Sequence, residues 1–98
     1  MHVGASRIEL RIRDVRSLKE KRKVVKSIIA DIGGAFPVAV AEVDHQDLWQ
    51  RADLGVAVVS GSPGHVDRML TAVEIDLDRR TEIEILGTTR SYLEEKER

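Results

Sequence analysis

The hydrophobic period of this chain changes from about two to about 3.6 and back, twice, and few folds accept that order. Residues 7–13 read R-I-E-L-R-I-R. Ile8, Leu10 and Ile12 alternate with Arg7, Glu9, Arg11 and Arg13, which predicts a strand with one apolar and one charged face. One buried face suits an antiparallel sheet whose other side is open. Ser17-Leu18-Lys19-Glu20 has the capping-box form S-x-x-E, so a helix starts there. Leu18, Val25, Ile28, Ile29 and Ile32 then share one helical stripe. Gly33 and Gly34 are expected to end it, as helix C-termini favour glycine.

The pattern then repeats. Pro37 opens V-A-V-A-E-V-D, a second strand at 38–43 with imperfect alternation, buried on both sides in part or carrying a bulge. Residues 54–60, L-G-V-A-V-V-S, are the most continuously apolar and predict a central strand. Ser62 and Pro63 supply an N-cap and a first helical residue. Val66, Met69, Leu70, Val73 and Leu77 form the stripe of a second helix, ending near Arg79 and Arg80. T-E-I-E-I-L at 81–86 alternates again as a fourth strand, with Glu82 and Glu84 able to pair with Arg7, Arg11 or Arg13 across the sheet. After Gly87, T-T-R-S-Y-L suits an extra short strand. The order β-α-β-β-α-β predicts an α+β, ferredoxin-like sandwich with antiparallel sheet order 4-1-3-2 and both helices on one face. Residues 1–93 are expected to form a single domain and 94–98 a polar tail.

Composition narrows the function classes. The absence of cysteine removes disulfides, thiol catalysis and thiolate metal sites. No apolar run approaches the roughly 20 residues that span a bilayer, and residues 1–6 lack a signal-peptide pattern. A cytoplasmic protein with no membrane association is expected. The net charge of −1 conceals an asymmetry. Residues 1–26 hold nine Lys/Arg and three Asp/Glu, a surplus of +6, whereas residues 27–98 carry −7. Such a split either neutralises itself within the fold or a dimer, or marks a surface for a charged partner.

The basic surplus concentrates in S-L-K-E-K-R-K-V-V-K, residues 17–26. Lys19, Arg22, Lys23 and Lys26 fall within a sector of about 100° on a helical wheel, and Arg13 and Arg16 extend the patch. Cations at this spacing can follow a phosphate backbone, although charge runs are more often solvated faces. Lys21 falls on the apolar side, where its stem must snorkel or its ammonium must reach a partner.

Residues 42–51, E-V-D-H-Q-D-L-W-Q-R, gather ligand-type side chains. Asp44, His45 and Asp47 are candidate metal ligands of an enzyme, but adjacent strand residues point to opposite faces and no distant third ligand is evident. The favoured reading is a shaped connection. Asp44 caps a short helix, Leu48 and Trp49 close over the core, and His45, Gln46, Trp49 and Arg51 present a partner surface. Gly61-Ser62-Pro63-Gly64 matches G-x-x-G but follows a strand, so a KH-type nucleic-acid clamp is excluded. The stacking mode of an RNA-recognition motif is excluded too, because residues 7–13 and 54–60 contain no aromatic residue. No phosphate-binding loop and no serine-nucleophile motif is present, and no cofactor is expected.

S-L-K-E-K-R at 17–22, A-E-V-D-H-Q-D-L-W-Q-R-A at 41–52 and L-G-V-A-V-V-S at 54–60 together resemble the YlxP-like proteins. These are small bacterial proteins classed as a domain of unknown function. The resemblance covers nearly the whole chain and is weakest after Gly87. It implies a ferredoxin-like fold, no assigned activity and, through association with genes of transcription and translation, a place near RNA or the ribosome. The expectation is a non-catalytic binding protein that contacts RNA or a ribonucleoprotein through its basic helix. The alternative is a homo-oligomer, a dimer, that pairs its open sheet face around small Gly55 and Ala57.

Overall fold

The computed structural model describes residues 1–93 and 95, so the expected tail at 94–98 lies, apart from Glu95, outside the described residues. Strand β1 (His2–Ile12) leads into helix α1 (Leu18–Ala35). Strands β2 (Ala39–Asp44) and β3 (Arg51–Ser60) follow, then helix α2 (Pro63–Asp78) and strand β4 (Ile83–Leu93). The sheet is antiparallel with order β2-β3-β1-β4, as the two-period pattern predicts. It is a ferredoxin-like α+β sandwich.

Alternation along the central strands decides the two faces. Ile8, Leu10, Leu54 and Val56 are essentially inaccessible and meet Val25, Ile28 and Ile32 of α1 and Val66, Leu70 and Val73 of α2. Each such aliphatic side chain contributes about 1.5–3 kcal/mol by leaving water. The opposite face carries Val3, Ala5, Arg7 and Glu9 of β1 in register with Val59, Ala57, Gly55 and Asp53 of β3. No helix covers it. Among the described residues, no helix is long and apolar enough to cross a membrane.

The helix starts follow their local chemistry. Ser17 Oγ accepts from the Glu20 N–H at 3.1 Å, while Glu20 Oε2 accepts from the Arg16 N–H at 2.6 Å. Ser62 Oγ accepts from the His65 N–H at 3.4 Å with Pro63 behind it. The end of α1 corrects an expectation. Gly33 and Gly34 lie inside the helix, neither at positive φ, and the helix runs on to Ala35. Pro37 is the terminator: it pushes the preceding residue to extended backbone, and Phe36 stands at φ −130°.

Strand β4 corrects another. The segment after Gly87 is not a separate strand but the second half of β4. Pairing with β1 slips between Glu9 and Leu10, where Leu86 is the additional residue. Gly87 sits beside Glu9, whose carboxylate would have to swing aside for a Cβ there, with Oε2 at 2.8 Å from it. Beyond the bulge, side chains clamp β4 to α2. Tyr92 Oη donates to Asp67 Oδ1 at 2.7 Å, and Arg90 donates to Glu74 at 2.7 and 3.1 Å and to Thr71 Oγ1 at 2.9 Å.

Glu74 also accepts from the buried Ser6 hydroxyl at 2.8 Å. Burial pushes its carboxyl upward, but the Arg90 and Ser6 hydrogen bonds and the Arg90 charge outweigh that, and the carboxyl is held below its ordinary value. A lowered folded pKa stabilises above the unfolded value, and the contribution disappears as pH falls through the folded one. Glu74→Gln should therefore destabilise the protein at pH 7, and the difference from the parent should shrink steadily below about pH 4.5. Urea unfolding at both pH values checks this, and a gap that persists undiminished in acid contradicts it.

Candidate functional site

The basic surface of α1 forms as the wheel predicts. Arg16, Lys19, Arg22, Lys23 and Lys26 are all exposed. Among the described residues, none of these five side chains makes an ion pair, whereas Arg7, Lys21, Arg80 and Arg90 all hold close acidic partners. Arg13 is exposed too but lies 3.7 Å from Glu84, which also stands 3.8 Å from Arg11. Arg7 pairs instead with Asp44 and Asp53, and Glu82 approaches Arg80 at 3.6 Å.

This arrangement works against the stability of α1. Lys19–Arg22, Lys19–Lys23, Arg22–Lys26 and Lys23–Lys26 are like-charge pairs at i,i+3 or i,i+4, each costing an isolated helix about 0.2–0.5 kcal/mol. Lys19 also lies in the first turn, where the helix dipole disfavours a cation. A groove lined by Arg11, Ile12, Arg13, Asp14, Gln50 and Arg51 continues the basic surface beyond the β1–α1 connection. Arg51 is half-buried in β3, with Nε shielded from water and without a hydrogen-bond partner among the described residues.

Lys21 takes the opposite path from its neighbours. It is fully buried, and Nζ donates to Glu42 Oε2 at 2.5 Å and to the His45 carbonyl at 2.9 Å. Glu42 belongs to β2, on the face that Val40 also turns toward the helices. A buried ion pair therefore ties α1 to the end of β2 and grips the following turn.

That turn is not the short helix expected from Asp44. The Leu48 N–H reaches the His45 carbonyl at 3.1 Å in a single turn, and β3 already begins at Arg51. Asp44 ends β2 and accepts from the His45 N–H at 2.7 Å instead of capping a helix. Leu48 and Trp49 are 47% and 43% exposed, so they do not close over the core. Of the expected partner surface, Gln46 and Trp49 are exposed, whereas His45 and Arg51 are half-buried. His45 has φ 63°, the left-handed region that a non-glycine residue enters at a cost.

The turn and a bulge at Val43 bring ligand-type groups together. Pairing shifts between Glu42 and Asp44, so Asp44 stands opposite Asp53 on the open face. Arg7 lies between the two carboxylates, with Nη2 3.1 Å from Asp44 Oδ2 and Nε 3.0 Å from Asp53 Oδ2. His45 Nε2 stands 3.6 Å from Asp53 Oδ1. Donor atoms of Asp44, His45 and Asp53 all lie within 4.8 Å of one another. Asp47 is an exposed turn residue outside this group. The His45 N–H, with the charges of His45 and Arg7 adding, holds the Asp44 carboxyl below its ordinary value.

Asp53 is the residue that sequence reasoning missed. A strand begun at Arg51 makes Arg51, Asp53, Gly55 and Ala57 alternate with apolar Ala52, Leu54, Val56 and Val58. That alternation was the available signal.

The family model described as "Protein of unknown function (DUF503)" matches residues 3–90. The chain is also similar to "Uncharacterized protein YlxP" of Bacillus subtilis (strain 168), with 39% identity over 82 residues. That match covers 84% of this chain and 89% of the relative.

Proposed function

The chain belongs to the DUF503 family, and from that premise we propose a non-catalytic binding protein that engages RNA or a ribonucleoprotein through α1. One observation carries the reading: five exposed cations of one sign, with no acidic partner among the described residues. Among the described residues no acidic side chain forms an ion pair with this stripe, and a polyanion would relieve its self-repulsion while releasing counterions. Phosphate contacts of this kind give affinity without base readout, which agrees with the lack of stacking aromatics on the central strands. The direct experiment is fluorescence anisotropy with a labelled single-stranded RNA at low salt. Saturable binding supports the proposal, and no binding there overturns it.

A second reading rests on the open sheet face. Val59 and Leu93 are 66% and 60% exposed beside Val3, Ala5 and Ala57, an apolar half that no covering layer hides among the described residues. The remaining half carries both signs, with Arg7 and Arg11 beside Glu9 and Glu84. A two-fold related copy of this chain could match such a surface, because a C2 interface requires one patch that complements itself. Light scattering across a concentration series decides: a dimer supports this reading, and a monomer at high concentration removes it.

A further inference from the structure

The cluster on the open face contains an anomaly that the basic helix does not explain. Asp53 is 1% exposed. Arg7 satisfies its Oδ2, but its Oδ1 is buried without a hydrogen-bond partner among the described residues. An unmatched buried acceptor is unfavourable, and more so when it carries charge. The group facing that oxygen is His45 Nε2, at 3.6 Å. The His45 backbone stands in the left-handed region, and Lys21 Nζ donates to its carbonyl. Two unfavourable features, a strained residue and an orphaned carboxylate oxygen, thus converge on one point. Asp44 borders the same point.

We propose that Asp44, His45 and Asp53 form a binding site for one divalent transition-metal cation. One imidazole nitrogen and two carboxylate oxygens make a borderline donor set, suited to manganese, iron, cobalt, nickel or zinc more than to magnesium or calcium. The mutual separations, all within 4.8 Å, allow the three donors to contact one ion after small side-chain rotations. The His45 and Asp44 side chains are 32% and 54% exposed, so water or a small anion can complete the coordination.

Arg7 sets the strength of the site. It donates to the Oδ2 atoms of both carboxylates, which orients them and leaves Asp53 Oδ1 for the ion. It also cancels one of their two negative charges. The cation therefore meets a formal charge of −1 with neutral histidine, and binding is weaker than at an unopposed pair of carboxylates. A purely structural ion-pair cluster and a metal site respond in opposite ways when Arg7 is removed. The first gains nothing, whereas the second gains affinity.

The test is titration of the full chain with cobalt(II) chloride, followed by visible absorption. The protein should bind one equivalent with a d–d spectrum that reports the ligand set. His45→Gly should weaken binding at least tenfold. Glycine accepts the turn's positive φ, so this variant keeps the fold and relieves its strain. Asp53→Asn should weaken binding comparably, and His65→Gly, remote from the cluster, should leave it unchanged. Arg7→Gln should tighten binding severalfold. No cobalt binding by the parent chain at millimolar metal, undiminished binding by folded His45→Gly, or weaker binding by folded Arg7→Gln would each overturn the proposal. Circular dichroism of every variant establishes that it is folded.

Discussion

Reversing the charge at Lys19, Arg22 and Lys23 together is expected to lower RNA affinity by about 100-fold or more at low salt. These three side chains carry most of the exposed stripe and have no acidic partner among the described residues. In single-stranded RNA each neutralised phosphate contributes about −0.7 to the slope of log K against log salt. Turning three attractive contacts into repulsive ones removes the larger part of that term. The same substitutions should leave the thermal midpoint no lower than that of the parent. An acid at position 19 suits the positive end of the helix dipole, and acids at 22 and 23 each face Lys26. Binding lost together with an intact or raised melting temperature identifies a surface maintained for a partner. Binding retained by the folded triple variant contradicts that role for α1.

The second large effect belongs to Lys21. Removing one member of a buried ion pair leaves an uncompensated charge and costs about 3–5 kcal/mol. A domain of this size has roughly 5–15 kcal/mol in total, so the loss is a large fraction of it. Lys21→Met strands both Glu42 and the His45 carbonyl. Glu42 keeps some access to water, with its side chain 17% exposed, which places the expected cost near 3 kcal/mol. Adding Glu42→Leu removes the stranded charge and should recover most of the loss, because apolar replacement of a buried pair is often close to neutral. Urea unfolding of the parent, both single variants and the double variant closes the cycle. A Lys21→Met cost below about 1 kcal/mol would mean that the pair does not hold the turn. Because Lys21 also grips the His45 carbonyl, the single variant should weaken cobalt binding even under conditions where it stays folded.

Much of this architecture is legible in the sequence because each element states its own period. The alternation of 7–13, the S-x-x-E start at Ser17 and the stripe from Val66 to Leu77 leave little choice of topology. The basic stripe is legible for the same reason, since a wheel needs only helical spacing. Lys21 is half-legible: the wheel places it among apolar residues but cannot say what it meets. Its partner could be read from β2, where Glu42 shares the core side with Val40.

The open-face cluster was harder to see. It depends on a bulge at Val43 and on one histidine in the left-handed region, and neither follows from composition. Asp53 escapes the hydrophobic pattern because the apolar run begins at Leu54, whereas β3 begins at Arg51. Gly87 misled in the other direction. Glycine often marks a break, yet here it fills a position within a continuous strand, beside the bulge at Leu86.

In the proposed function the four exposed cations of α1, with Arg16 just before the helix, form a phosphate-binding surface. It is tested most directly by the salt dependence of RNA affinity, measured from about 50 to 200 mM monovalent salt. Five contacts predict a slope near −3.5 for single-stranded RNA, a loss of about 100-fold over that range. A slope near zero, or no measurable binding at the lowest salt, would contradict it.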